Sequence, residues 1–179
     1  MTQASFPVAL AATLRHEGGW SDHPRDPGGA TMRGITLRVY SNYLGRDATK
    51  EELRSISDDE LTAIYRASYW DACRCDDLPA GIDYAVFDAA VNSGPGRAAK
   101  LLQASVNVTV DGAIGAKTIK AVCDADAIKI IETLCEERLE FLRSLPTFDA
   151  FGKGWTSRVN HVRDQAIALV KQPVLPSQS

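Results

Sequence analysis

The sequence predicts a mainly helical protein with one small β excursion near residues 26–36. Two patterns, Thr49 with Glu52 and Ser57 with Glu60, are capping boxes, in which a hydroxyl and a glutamate satisfy the free amides at a helix start. Residues 82–91 (IDYAVFDAAV) are apolar almost all round, as in a helix buried at the centre of a fold. Ahead of both, residues 18–34 carry Gly18, Gly19, Pro24, Pro27, Gly28, Gly29 and Gly34, punctuation that no long helix tolerates.

The elements follow in order. Ser5 is a candidate N-cap, and Pro7 falls in the first turn, where its missing N–H costs nothing. At about 100° per residue, Phe6, Leu10, Thr13 and Leu14 share one face. Glu17 continues that face, and Gly18-Gly19 stop the helix. A carboxylate that ends an apolar stripe is desolvated, which raises its pKa as a general acid requires. On the same reasoning, a neutral Gln at position 17 is at least as stable at neutral pH. Nine residues further on, Pro27 pushes Asp26 toward an extended conformation, and Pro27-Gly28 suits the centre of a type II turn. Asp26 is expected to stay ionised in this polar loop. One protonated and one ionised carboxylate are what hydrolysis of a glycosidic bond uses. Thr31 offers a hydroxyl that could orient a water, or is a β-branched strand residue and nothing more. Trp20, Tyr65 and Trp70 offer rings that could stack on sugars.

Thr36 caps a helix through Tyr40 to Leu44, ended by Gly45. The second capping box opens a helix through Leu61, Ile64 and Tyr65 toward Trp70. The central apolar helix ends at Asn92-Ser93-Gly94-Pro95, where Asn92 either reaches a ligand or serves only as a turn residue. Further helices are expected over Arg97–Val106, Ala116–Val122 and Ala127–Leu145, the last stopped by Pro146. A final amphipathic helix is expected from about Trp155 to Val170, with Val159, Val162, Ala166 and Leu169 on one face. The Pro- and Ser-rich end, Gln172 to Ser179, is expected to be disordered.

A chain of 179 residues can bury one sizeable core or two small lobes sharing one. Its net charge of −3 argues against nucleic-acid binding, which wants a basic footprint. No stretch approaches the ~20 apolar residues of a membrane span, and Met1–Ser5 lacks the charge and apolar run of a signal peptide. Synthesis in the cytoplasm is therefore expected, with Cys73, Cys75, Cys123 and Cys135 reduced. The cysteines lack metal-site spacing, although Cys123 and Cys135 flank a turn and could meet. His16, His23 and His161 are scattered. No cofactor is implied.

The pattern Glu17-Gly18-Gly19-Trp20, five residues, Asp26-Pro27-Gly28-Gly29, then Thr31 and Gly34-Ile35-Thr36 resembles the signature of glycoside hydrolase family 108. These are lysozyme-like N-acetylmuramidases of phage, prophage and secretion-activator type, and the Glu, Asp and Thr spacing also resembles phage lysozymes of the T4 type. Asp88 to Gly94 looks like the family's central helix and its exit. Leu101-Leu102-Gln103, Val110 to Gly115 and Thr118 look like the peptidoglycan-binding module fused behind it.

The resemblance implies a lysozyme-like fold: a catalytic module over 1–95, a helical peptidoglycan-binding-like module over 96–171 packed on it, and a tail over 172–179. It implies cleavage of the β-1,4 bond between N-acetylmuramic acid and N-acetylglucosamine, with inversion the expected stereochemistry. Glu17 would be the acid, Asp26 the base that activates a water, and Thr31 the holder of that water, with Trp20, Tyr65 and Asn92 on the substrate. The expected partner is bacterial peptidoglycan, reached as a monomer from the cytoplasm with the help of a holin or release system. A lytic transglycosylase and a non-catalytic wall-binding secretion helper are the alternatives.

Overall fold

The computed structural model describes residues 5–22 and 29–172. Among these the chain is mainly helical, and its strands form one three-stranded antiparallel sheet in the order β1 (Trp20–Ser21), β2 (Thr31–Met32), β3 (Ile35–Thr36). The β excursion therefore includes a strand at Trp20 in addition to the hairpin. Asp26 and the Pro27-Gly28 turn lie outside the described residues.

The hairpin between β2 and β3 is closed by Arg33 and Gly34, with Met32 opposite Ile35. Both turn residues have positive φ, +50° and +81°. Two left-handed residues in a two-residue loop make a type I′ turn, whose twist matches that of the strands.

Helix α1 (Ser5–Leu14) is shorter than its periodicity suggests. After Leu14 the chain tightens, with the amides of Arg15, His16 and Glu17 donating to the carbonyls three residues back. Glu17 thus sits on a closing turn beyond the helix. The capping predictions hold: Thr36 caps α2 (Leu37–Leu44), and complete capping boxes open α3 (Lys50–Arg54) at Thr49 and α4 (Asp58–Tyr65) at Ser57. The helix after α4 does not continue regularly to Trp70. It widens into a π-type segment over Arg66–Asp71, and the buried Trp70 indole donates to Asp76 Oδ1 at 2.9 Å.

Helix α5 (Ile82–Ser93) is the centre of the molecule and packs against α1, α6 (Pro95–Ser105), α8 (Ala127–Arg143) and α9 (Phe148–Lys171). Its first nine residues are all buried, as the all-round apolar pattern requires. Phe87 on α5 meets Phe6 and Trp70 edge-on, at centroid separations of 5.9 and 5.5 Å. Helix α7 (Ala116–Asp124) is shorter and packs against α8. Buried residues from Phe6 to Ala166 form one contiguous core, so both ends of the chain share it.

Helix α9 begins at Phe148, earlier than the start near Trp155 that the sequence suggests, and runs through Gly152 and Gly154. Gly152 has a packing reason: a Cβ there would lie 2.7 Å from the Phe148 ring. Gln172 caps α9, and residues 173–179 lie outside the description.

Candidate active site

Glu17 is 16% exposed, and what faces it is charged and polar. The Arg158 guanidinium on α9 places Nη1 2.9 Å from Glu17 Oε1. The apolar, desolvating stripe expected around Glu17 is therefore replaced by an ion pair. Gly34 closes the other side: a Cβ there would come within 2.8 Å of Glu17 Oε2 and 2.5 Å of the Tyr65 hydroxyl. Only a glycine satisfies both the left-handed turn and this approach.

Arg158 reaches further inward. Its Nη2 donates to Asp88 Oδ1 at 2.9 Å and its Nε to Asp88 Oδ2 at 3.1 Å. Asp88 is fully buried, and Arg138, also fully buried, makes a second ion pair with it at 2.8 Å. Arg138 Nη2 then donates to Asn92 Oδ1 at 3.1 Å. The result is an alternating chain, Glu17, Arg158, Asp88, Arg138, ending on the Asn92 amide. Its formal charges cancel, which is the condition for keeping four ionic groups largely out of water. Burial alone would push the Asp88 carboxyl up, but Arg138 and Arg158 outweigh it and hold the carboxyl below its usual range.

His16, next to Glu17, packs edge-on to His161 of α9 at 5.2 Å, and its Nε2 is buried. Burial pushes its pKa down; Asp88 opposes this, while Arg158, His161 and Arg138 add to it. A neutral imidazole therefore sits beside the charged chain.

Of the expected site residues, Thr31 lies in the middle strand, opposite Ser21 on one side and Thr36 on the other. Trp20 is half-buried in β1, and the Arg54 guanidinium stands 5.5 Å from its ring centroid. Asn92 has its amide oxygen committed to Arg138. Tyr65 requires a correction. It is fully buried, with its ring among Tyr69 and Phe87, so it has no open face for a sugar. Its hydroxyl donates to the Arg33 carbonyl at 2.8 Å, and so buttresses the hairpin turn under Glu17. Burial, and then the nearby Glu17 charge, raise its pKa, keeping the hydroxyl a donor. Trp70 is likewise core.

Sequence reasoning missed Asp88, Arg138 and Arg158 as a unit. A usable signal was there: an aspartate inside an otherwise apolar buried helix needs a cation. Which of the chain's arginines answered it was not written locally. Among the described residues no group of three or more His, Cys, Asp or Glu side chains converges as a metal site.

A helical fold that sets a carboxylate against a small hairpin belongs with the lysozyme-like proteins, and comparisons with known proteins sharpen that class. Residues 10–94 match the family model described as Glycosyl hydrolase 108, and residues 97–160 match a model described as Predicted Peptidoglycan domain. The solved structure of SagA from Brucella abortus is 48% identical, with a TM-score of 0.90 over 97% of this chain and 100% of that one. The chain belongs to glycosyl hydrolase family 108 and carries a peptidoglycan-binding module. A search of curated proteins found no match.

Proposed function

We propose that this protein hydrolyses the β-1,4 bond between N-acetylmuramic acid and N-acetylglucosamine in peptidoglycan. The observation that carries the reading is Glu17, a mostly buried carboxylate held at one oxygen by Arg158 and seated against the hairpin that bears Thr31. In this reading Glu17 protonates the leaving oxygen. Asp26 activates a water from the opposite face of the sugar and Thr31 helps to hold that water, with inversion at the anomeric carbon. Trp20 and Asn92 contact the glycan. Two carboxylates suffice, and no cofactor takes part. The protein acts as a monomer on the periplasmic wall, as an endolysin or wall-opening factor, after a holin or dedicated release system lets it through.

Mass spectrometry of digested peptidoglycan tests the chemistry. Reducing muramic acid ends are expected. Anhydro ends would make the protein a lytic transglycosylase, and intact glycan would make it a binding module. Glu17→Gln should lose nearly all clearance of wall suspensions, since general acid catalysis is typically worth about 10²–10⁴-fold. A variant keeping more than about a tenth of the activity defeats the assignment of Glu17.

A further inference from the structure

Phe151 is the most exposed large apolar side chain among the described residues, at 57%, and it stands outside the hydrophobic core. It lies on α9 against the half-buried Trp155, with ring centroids 5.7 Å apart and planes tilted by 32°. Trp155 in turn touches Phe148, which packs on the core, so the tryptophan is braced from below. At helical spacing, Phe151, Gly154, Trp155 and Arg158 fall within one face of α9. Arg158 is the residue that holds Glu17. From Phe151 to Arg158 the helix rises roughly 10 Å.

Gly154 is the second observation. A helix-interior glycine costs about 1 kcal/mol relative to alanine. Gly152 has a reason, the Phe148 ring above it, but a Cβ at Gly154 would meet nothing within 4 Å. Among the described residues no contact explains why this position lacks a side chain. Gly154 therefore leaves the helix backbone open to an approaching ligand, one turn before Arg158. Aromatic rings edged by polar groups suit a sugar, whose C–H faces are apolar and whose rim is polar.

We infer that Phe151 and Trp155, with the gap at Gly154, form a glycan-binding subsite that continues the Glu17 site along α9. This rests on the proposed action on peptidoglycan, and the segment lies within the residues that match the peptidoglycan domain model. Phe151 is a substrate-positioning residue here and takes no part in bond cleavage.

The test uses the full chain, soluble peptidoglycan glycan fragments and purified wall sacculi. Phe151→Ala is expected to raise KM about three- to tenfold, with kcat changed far less, since one stacking contact is typically worth that much. In a Glu17→Gln background it should weaken sacculus binding by a similar factor. Phe151→Tyr should restore both, and the melting temperature should be unmoved. Unchanged KM and unchanged sacculus binding in Phe151→Ala would overturn the subsite while leaving the hydrolase reading intact. A wild-type chain that cleaves nothing would instead defeat the hydrolase reading, and the binding arm would still decide the subsite. Concentration-dependent self-association by sedimentation, abolished by Phe151→Ala, would overturn the proposal in favour of a contact between copies of the chain.

Discussion

Arg158, near the end of the chain, places its Nη1 2.9 Å from Oε1 of Glu17, near the beginning. The same guanidinium grips Asp88 on the central helix through two further nitrogens. One side chain therefore ties the segment matching the hydrolase model to the last helix, part of which matches the peptidoglycan domain model. The C-terminal half supplies part of the candidate site's frame.

Arg158→Met should be destabilised by about 3 kcal/mol or more, the usual cost of stripping one partner from a buried ion pair. It should also lose activity, because the Glu17 carboxyl is no longer held. Arg158→Lys should rescue part of the stability and less of the activity, since a point charge cannot bridge two carboxylates as a fork does. Chemical denaturation and wall-clearance assays together check this. Equal rescue of both by lysine would show that charge alone, without geometry, is what Arg158 contributes. The ion pair also reverses the expectation drawn from an apolar stripe: Glu17→Gln should be less stable than wild type at neutral pH, because Arg158 loses one of its two anions.

Gly34→Ala should cost roughly 1–3 kcal/mol through its left-handed backbone and should abolish most activity. Its Cβ would press on Glu17 Oε2 and on the Tyr65 hydroxyl. Gly45→Ala is the control. It shares the positive φ, +68°, so an alanine there should pay a similar backbone cost of about 1–2 kcal/mol, but its Cβ meets nothing within 4 Å and activity should hold. Matching activity losses in the two variants would show that backbone strain, rather than contact with Glu17, explains Gly34.

Asp83 should make stability fall as pH rises. Burial pushes its pKa up to about 6, although the amides of Tyr84 and Gly81 donate to it and pull the other way. A folded pKa above the unfolded value means the folded state binds the proton more tightly. The stability from this group is therefore fully present below about 4 and is lost as pH rises to about 6. Above that, the penalty is on the order of 3 kcal/mol for a shift of roughly two units. Asp83→Asn keeps the acceptor oxygen and drops the charge, so it should be more stable than wild type at pH 7 and no better at pH 4. Urea melts at both values check it; a variant weaker at pH 7 would count against a buried, uncompensated carboxylate.

Reductant should leave both melting temperature and activity unchanged, because all four cysteines are free thiols in the fold. Cys123 is exposed on α7 while Cys135 is buried on α8, so the pair that flanks the turn points to different environments. Burial drives the Cys135 thiol up to about 11, which keeps it protonated and unreactive. A clear drop in melting temperature with dithiothreitol would reveal a staple that the fold does not contain.

Local chemistry was enough to place much of this protein. The capping boxes at Thr49 and Ser57, the Gly45 stop and the all-round apolar run of α5 each depend on residues within one or two turns, and each appears in the fold. The segment around Glu17 and Gly34 could be singled out as a candidate site because its residue types and spacing are local too. Where α1 ends, where α9 begins and which way Tyr65 faces could not be read that way. Gly152 looks like a breaker until Phe148 is laid over it, and Tyr65 looks like a sugar platform until the core closes round it. The environment of Glu17 was least legible of all. It is set by Arg158, Asp88 and Arg138, drawn together from distant parts of the chain. A buried charge accepts whichever opposite charge packing delivers, and sequence spacing carries no record of that delivery.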